Sequence, residues 1–127
     1  MDTTGTPKKI VLADDEQFIA IAYKDGLERA GYEVVVAHDG NEALEIIRST
    51  LPDLILLDLI MPKMNGFEVL KTIKADPTLS AIPIMVLTNL SQNNDETEAR
   101  GYGVQDFIVK ADISLKDLLS RIEHVLA

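Results

Sequence analysis

Apolar residues along the chain fall into two alternating rhythms: short unbroken runs and stripes at helical spacing. Lys9–Ala13 (KIVLA) is a short apolar run with β-branched residues and predicts a strand. From Asp15 to Ala30, the apolar or small residues Ala20, Tyr23, Leu27 and Ala30 lie three, four and three apart. That is one face of a helix, with Gly31 as its stop. Glu33–Ala37 (EVVVA) predicts a second strand. Asp39 suits a helix N-cap, with Glu42 three residues on as a capping box, and the helix runs to about Ser49. Asp53–Asp58 (DLILLD) predicts a third strand. Asn65 and Glu68 repeat the capping pattern and open a helix to about Ala75. Ile82–Leu87 (IPIMVL) predicts a fourth strand, with its proline near the start where a lost donor is tolerated. Ser91–Arg100 predicts a polar helix stopped by Gly101, and Gln105–Val109 (QDFIV) a last strand. Ser114, with Asp117 three residues on, caps a final helix. Its stripe is Leu115, Leu118, Leu119, Ile122, Val125 and Leu126.

Strand starts near 9, 33, 54, 82 and 105 leave room each time for the helical crossover that parallel strands require. Leu54–Leu57 and Ile84–Leu87 are apolar on both alternating faces, as strands covered by helices on both sides are. The pattern therefore predicts an α/β fold, (βα)5, with a doubly wound five-stranded parallel sheet. A chain of 127 residues fits one domain. Met1 to Pro7, polar and rich in Thr and Gly, reads as a flexible leader before a domain at 8–127.

Composition removes several functions. A net charge of -9 is wrong for a nucleic-acid footprint and for docking on an anionic membrane. The chain has no Cys, which excludes disulfides, thiolate catalysis and zinc–thiolate sites. Two His are too few for an all-histidine zinc site, and with no Trp and 5% aromatics there is little to stack on bases. No apolar run approaches a membrane span or a signal segment, so the expected compartment is the cytoplasm.

In open α/β sheets, ligands bind beyond the carboxyl ends of the strands. Asp14 and Asp15, followed by Glu16, come after the first strand. Asp58 ends the third, Thr88 then Asn89 the fourth, and Lys110 follows the fifth. If the first and third strands are neighbours, Asp14, Asp15 and Asp58 converge. Two like charges ~4 Å apart repel by about 4 kcal/mol at an effective dielectric near 20. Such a cluster needs a proton or a cation, and hard oxygen ligands in small number suit magnesium (or manganese) better than a calcium cage. A carboxylate beside such an ion can also act as a nucleophile toward phosphorus, giving an aspartyl phosphate. Phosphoryl transfer needs its equatorial oxygens neutralised, which Lys110 can help to do, and Thr88 offers a hydroxyl. Each residue also has a plainer reading. Asp14 or Asp15 can cap the first helix, Lys110 can be a surface lysine, and Thr88 a strand threonine. The coincidence of all of them at the same strand ends favours the chemical reading. A Walker-A loop is absent, and Gly101-Tyr-Gly103 precedes a strand instead of following one.

These residues resemble those of a response-regulator receiver domain of two-component or phosphorelay signalling, of the chemotaxis-regulator type. The likeness covers Lys8 to Ala127. It rests on Asp14-Asp15, on Asp58-Leu-Ile-Met-Pro-Lys-Met-Asn-Gly66, on Thr88 ending the fourth strand, and on Asp106-Phe-Ile-Val-Lys110. The resemblance implies a flavodoxin-like sheet of strand order 2-1-3-4-5. It implies that Asp58 is the phosphoacceptor, taking its phosphoryl group from a phosphohistidine on a sensor histidine kinase or histidine phosphotransfer protein. Asp15, Asp58 and the backbone carbonyl of Ile60 would hold the metal directly, and Asp14 mostly through water. Lys110 would bind a phosphoryl oxygen, Thr88 would move toward it, and Phe107 would be the aromatic switch, although strand packing explains Phe107 equally well. The readout surface would be the fourth helix, fifth strand and fifth helix, offered to a downstream protein partner by a monomer or a weak phosphorylation-dependent dimer. Such a domain is not an enzyme beyond its own phosphorylation and autodephosphorylation.

Three positions depart from the family pattern. Ala111 follows Lys110 where proline after a cis bond is usual, and a non-proline cis bond costs ~2.5–4 kcal/mol. Asn89 replaces a small residue after Thr88, which predicts an altered acyl-phosphate lifetime. The segment Ser91–Arg100 is very polar, which predicts a short or mobile helix. Two other functions fit the same fold. A phosphorylation-independent interaction module would tolerate Asp58→Asn. A magnesium phosphohydrolase would want a second aspartate two residues after Asp58, where Ile60 stands.

Overall fold

The computed structural model describes residues 6–89 and 93–127. Among them the elements alternate as β1 (Lys9–Ala13), α1 (Gln17–Arg29), β2 (Glu33–Ala37), α2 (Gly40–Thr50), β3 (Leu54–Leu57), α3 (Gly66–Ala75), β4 (Ile84–Thr88), α4 (Asn93–Gly101), β5 (Asp106–Val109) and α5 (Leu115–Leu126). A short 3-10 turn, Lys110–Asp112, joins the last strand to the last helix. The expected leader lies outside the described residues as far as residue 5, and so does the expected helix start at Ser91.

All five strands are parallel, in the order β2-β1-β3-β4-β5. Alternation along each strand splits the core in two. Val11, Ala13, Ile55, Leu57, Ile84, Val86 and Phe107 face α2, α3 and α4, meeting Ile47, Val69, Leu70, Ile73 and Ala99. Ile10, Leu12, Leu54, Leu56, Met85, Leu87 and Ile108 face α1 and α5, meeting Ala20, Leu27, Leu118 and Ile122. The apolar run of β3 is completely buried because both of its faces are covered. Burying a side chain of that size stabilises by ~1.5–3 kcal/mol.

The helix starts follow local hydrogen bonding. Asp39 accepts from the Glu42 amide, Asn65 from the Glu68 amide and Ser114 from the Asp117 amide. The Glu42 carboxylate does not turn back to the cap residue but accepts from the His38 amide at 3.0 Å. The first helix begins at Gln17, two residues later than its spacing predicts, with Glu16 as an N-cap that makes no side-chain bond. Asp14 Oδ1 instead takes the Glu16 amide at 2.9 Å, so the residues between β1 and α1 form a tight turn.

Candidate functional site

Register decides what meets at the carboxyl edge of the sheet. Ala13 pairs with Leu57, so Asp14 and Asp58, each one residue further, leave neighbouring strands side by side. Thr88 closes β4 and pairs with Val109, so Lys110 emerges next to it. The backbone ladder continues into the site, with the Asp58 amide donating to Ala13 O at 3.0 Å and the Asp14 amide to Ala37 O at 2.9 Å. Asp14, Asp58, Thr88 and Lys110 are the buried polar or charged residues among those described. The core excludes such groups elsewhere, and burying them is tolerable only when they are paired.

Lys110 Nζ donates to Asp58 Oδ2 at 2.8 Å and to Glu16 Oε1 at 2.9 Å. It also stands 2.6 Å from Asp14 Oδ2. The other Asp58 oxygen, Oδ1, accepts from Thr88 Oγ1 at 2.7 Å and from the Ile60 amide at 3.0 Å. The Asp58 carboxylate is thus fixed in plane and direction, with an ammonium on one oxygen and a hydroxyl and an amide on the other. Burial raises the pKa of Asp14 and the charge of Asp58 adds to this, against the pull of Lys110 and the Glu16 amide. For Lys110, burial works downward, but the carboxylates of Asp14, Asp58 and Glu16 gathered around it outweigh that and the pKa rises, so the side chain stays an ammonium.

Asp14, Glu16 and Asp58 bring carboxylate oxygens within 4.8 Å of one another. Against them stands one ammonium, an excess of negative charge. Although Lys110 is close, Asp14 Oδ2 lies off the direction of a hydrogen bond and is buried with no hydrogen-bond donor among the described residues. An all-oxygen donor set, a surplus of anions and an unsatisfied buried lone pair together fit a hard divalent cation such as Mg2+ or Mn2+.

The expected residues do not all converge. Asp15, the expected direct ligand, is exposed and is not one of the three clustered carboxylates. The carboxylate that joins Asp14 and Asp58 is Glu16. A run of three acidic residues after β1 was its signal. Which of the three reaches inward depends on a turn that spacing does not reveal, since the Asp14–Glu16 bond delays the helix. Asn89 is exposed just past Thr88. Phe107 is buried in the core beside Val86 and Ala99. No peptide bond among the described residues is cis, the Lys110–Ala111 bond included, and Lys110 reaches the cluster from the first position of the 3-10 turn.

Residues 10–123 match the family described as the response regulator receiver domain. The chain belongs to that family. This receiver domain is 35% identical over 119 residues to the alkaline phosphatase synthesis transcriptional regulatory protein PhoP of Bacillus subtilis, covering 94% of this chain and 48% of PhoP. It is 33% identical over 120 residues to the polar-differentiation response regulator DivK of Brucella anthropi, covering 94% of this chain and 97% of DivK. Among solved structures it is similar to the chemotaxis protein CheY4 of Vibrio cholerae, with a TM-score of 0.87, 31% identity, and 95% and 100% of the two chains covered. The receiver domain spans about half the length of several curated relatives it matches and nearly all of DivK. No helix among the described residues is long and apolar enough to cross a membrane.

Proposed function

We propose that this receiver domain accepts a phosphoryl group on Asp58 from a phosphohistidine of a sensor histidine kinase or histidine phosphotransfer protein. An Asp58 carboxylate oxygen bonds to phosphorus as the P–N bond to the imidazole breaks, the electron pair leaving with the ring nitrogen. Asp14 and Asp58, with the Ile60 carbonyl and either Asp15 or Glu16, would hold Mg2+, which when bound neutralises charge on the phosphoryl oxygens. Lys110 binds one phosphoryl oxygen as a point charge, and the Thr88 hydroxyl donates to another. Phe107 follows Thr88, and the changed surface of α4, β5 and α5 is what a downstream protein reads. Switching is then a shift of population toward the conformer whose Thr88 reaches the phosphoryl group. Apart from its own phosphorylation and dephosphorylation, the domain catalyses nothing.

The observation that supports this reading best is the division of the buried Asp58 carboxylate between Lys110 on one oxygen and Thr88 with the Ile60 amide on the other. A nucleophile so oriented has its partners for phosphoryl charge already in place. The test is incubation with acetyl phosphate and Mg2+, followed by intact mass. One phosphoryl group is expected on the wild type and none on Asp58→Asn; an unchanged wild-type mass would refute the proposal. Asn89, exposed beside Thr88, is proposed to modulate acyl-phosphate lifetime. Equal rates of phosphate loss from wild type and Asn89→Ala would count against that role.

A further inference from the structure

We propose that Glu16, and not Asp15, is the third carboxylate of the divalent-cation site, beside Asp14 and Asp58. The proposal rests on the phosphoacceptor reading above, in which either residue could serve. Three adjacent acids follow β1, and the local backbone decides which of them face the same way. Asp14 Oδ1 takes the Glu16 amide at 2.9 Å, and Glu16 itself has extended backbone, with φ -83 and ψ 93. Side chains two residues apart on an extended chain share a face, and the one between them points away. Asp14 and Glu16 accordingly bring carboxylate oxygens within 4.8 Å of each other and of Asp58. Asp15 is exposed and outside that group.

Capping does not account for Glu16. It stands at the N-cap of α1, where Ser, Thr, Asp and Asn are preferred, and its side chain makes no capping bond. Nor does Lys110 need it. Asp14 and Asp58 already outnumber one ammonium, with oxygens 2.6 and 2.8 Å from Nζ, and Glu16 Oε1 at 2.9 Å adds a third negative charge. Like charges this close repel. Three carboxylates against one ammonium leave an excess of two negative charges, the charge of one divalent ion. A separate observation also points to a cation. Asp14 is 1% exposed, and its Oδ2 is buried without a hydrogen-bond donor among the described residues. That free lone pair lies beside the nitrogen that the other two carboxylates share. The Glu16 side chain is half-exposed, so the group opens to solvent on its side. Such a site suits Mg2+, which keeps several of its waters.

The test is a Mg2+ titration of the full chain without any phosphoryl donor, followed by amide shifts at residues 58–60 at constant ionic strength. Glu16→Gln and Asp15→Asn each remove one negative charge from neighbouring positions, so general electrostatics acts alike on both. Glu16→Gln is expected to raise the midpoint about tenfold or more, since even residues that only orient a metal ligand cost about 10–100-fold in affinity when lost. Asp15→Asn should raise it less than about threefold on the same scale. Glu45→Gln, on an exposed residue of α2, should leave it unchanged. In the wild type, which needs no substitution, saturating Mg2+ should shift the side-chain carboxyl carbon of Glu16 and leave that of Asp15 in place. A loss in Asp15→Asn as large as in Glu16→Gln, a Glu16→Gln midpoint within about threefold of wild type, or a Mg2+ shift at the Asp15 carboxyl instead of Glu16 would each overturn the inference. So would a wild type without saturable Mg2+ binding. A wild type that binds Mg2+ through Glu16 yet takes no label from acetyl phosphate would instead sink the phosphoacceptor reading and leave this site standing.

Discussion

At Lys110 two opposing forces meet on one nitrogen. Burial disfavours its charge, and three carboxylates restore it. Replacing it with Met leaves Asp14 and Asp58 buried without a counter-charge, a change that costs about 3 kcal/mol when one partner of a buried pair is removed. Urea unfolding of metal-free Lys110→Met should show that loss at neutral pH. Because the folded pKa lies above the ordinary 10.5, this stabilisation is complete below that value and is lost as pH rises through the folded one. The difference between wild type and Lys110→Met should therefore stay flat to about pH 10 and narrow above it; a difference already gone at pH 7 would contradict the pairing. Gly66 constrains the same site from below. A Cβ there would overlap the Asp58 carbonyl oxygen and come within 2.5 Å of the Leu59 Cα. Backbone cannot yield as a flexible side chain does, so Gly66→Ala should push the β3–α3 loop outward and cost about 2 kcal/mol. Thermal unfolding reads the loss, and displaced amide shifts at Asp58 and Leu59 locate it.

The helices differ in how they end. α2 closes on Leu51, which adopts the left-handed conformation at φ 47 and is 55% exposed. A residue with a Cβ is disfavoured there by roughly 1–2 kcal/mol, and glycine is the usual occupant. Glycine loses more entropy on folding, which offsets part of the relief. Leu51→Gly should still stabilise by about 0.5–1 kcal/mol, a rise of a few degrees in Tm; a fall would mean that packing by Leu51 outweighs the strain. Apolar runs made the five strands readable, and apolar spacing the first and last helices. α4 was read from its polarity and its Gly101 stop, while the 3-10 turn at Lys110–Asp112 carried no such signal. Asp39, Asn65 and Ser114 marked three helix starts. The first helix was the exception. Its start depends on Asp14 bonding the Glu16 amide, a local turn that competes with helix formation. That same turn exchanged Asp15 for Glu16 in the carboxylate cluster. Identity at the strand ends was legible because strands end where hydrophobic runs end. Which of three adjacent acids points inward was not, because it depends on one or two backbone angles.

For the whole molecule, the strand order brings the ends of four strands, β1, β3, β4 and β5, into one polar rim. β1 and β3 are central and adjacent, so Asp14 and Asp58 are forced together by the same register that buries Leu54–Leu57. Folding therefore assembles a cluster that repels itself. The raised pKa of Asp14 comes chiefly from burial, and the charge of Asp58 adds to it. With the folded pKa above the ordinary 3.8, the native state holds the Asp14 proton more tightly than the unfolded chain, so this residue's contribution to stability falls as pH rises through that interval. Above the folded pKa the deficit is fully present, and a cation bound only by the folded cluster should offset it. A divalent ion present at 100 times its Kd stabilises by about 2.7 kcal/mol if the unfolded chain does not bind it. Mg2+ should accordingly raise the Tm of wild type by several degrees, whereas Na+ at equal ionic strength should not. Asp14→Asn removes one buried negative charge and the unsatisfied oxygen together, so its response to Mg2+ should be much the smaller. Equal Mg2+ responses in the two proteins would mean that the ion acts by general screening and that the acidic rim is not its site.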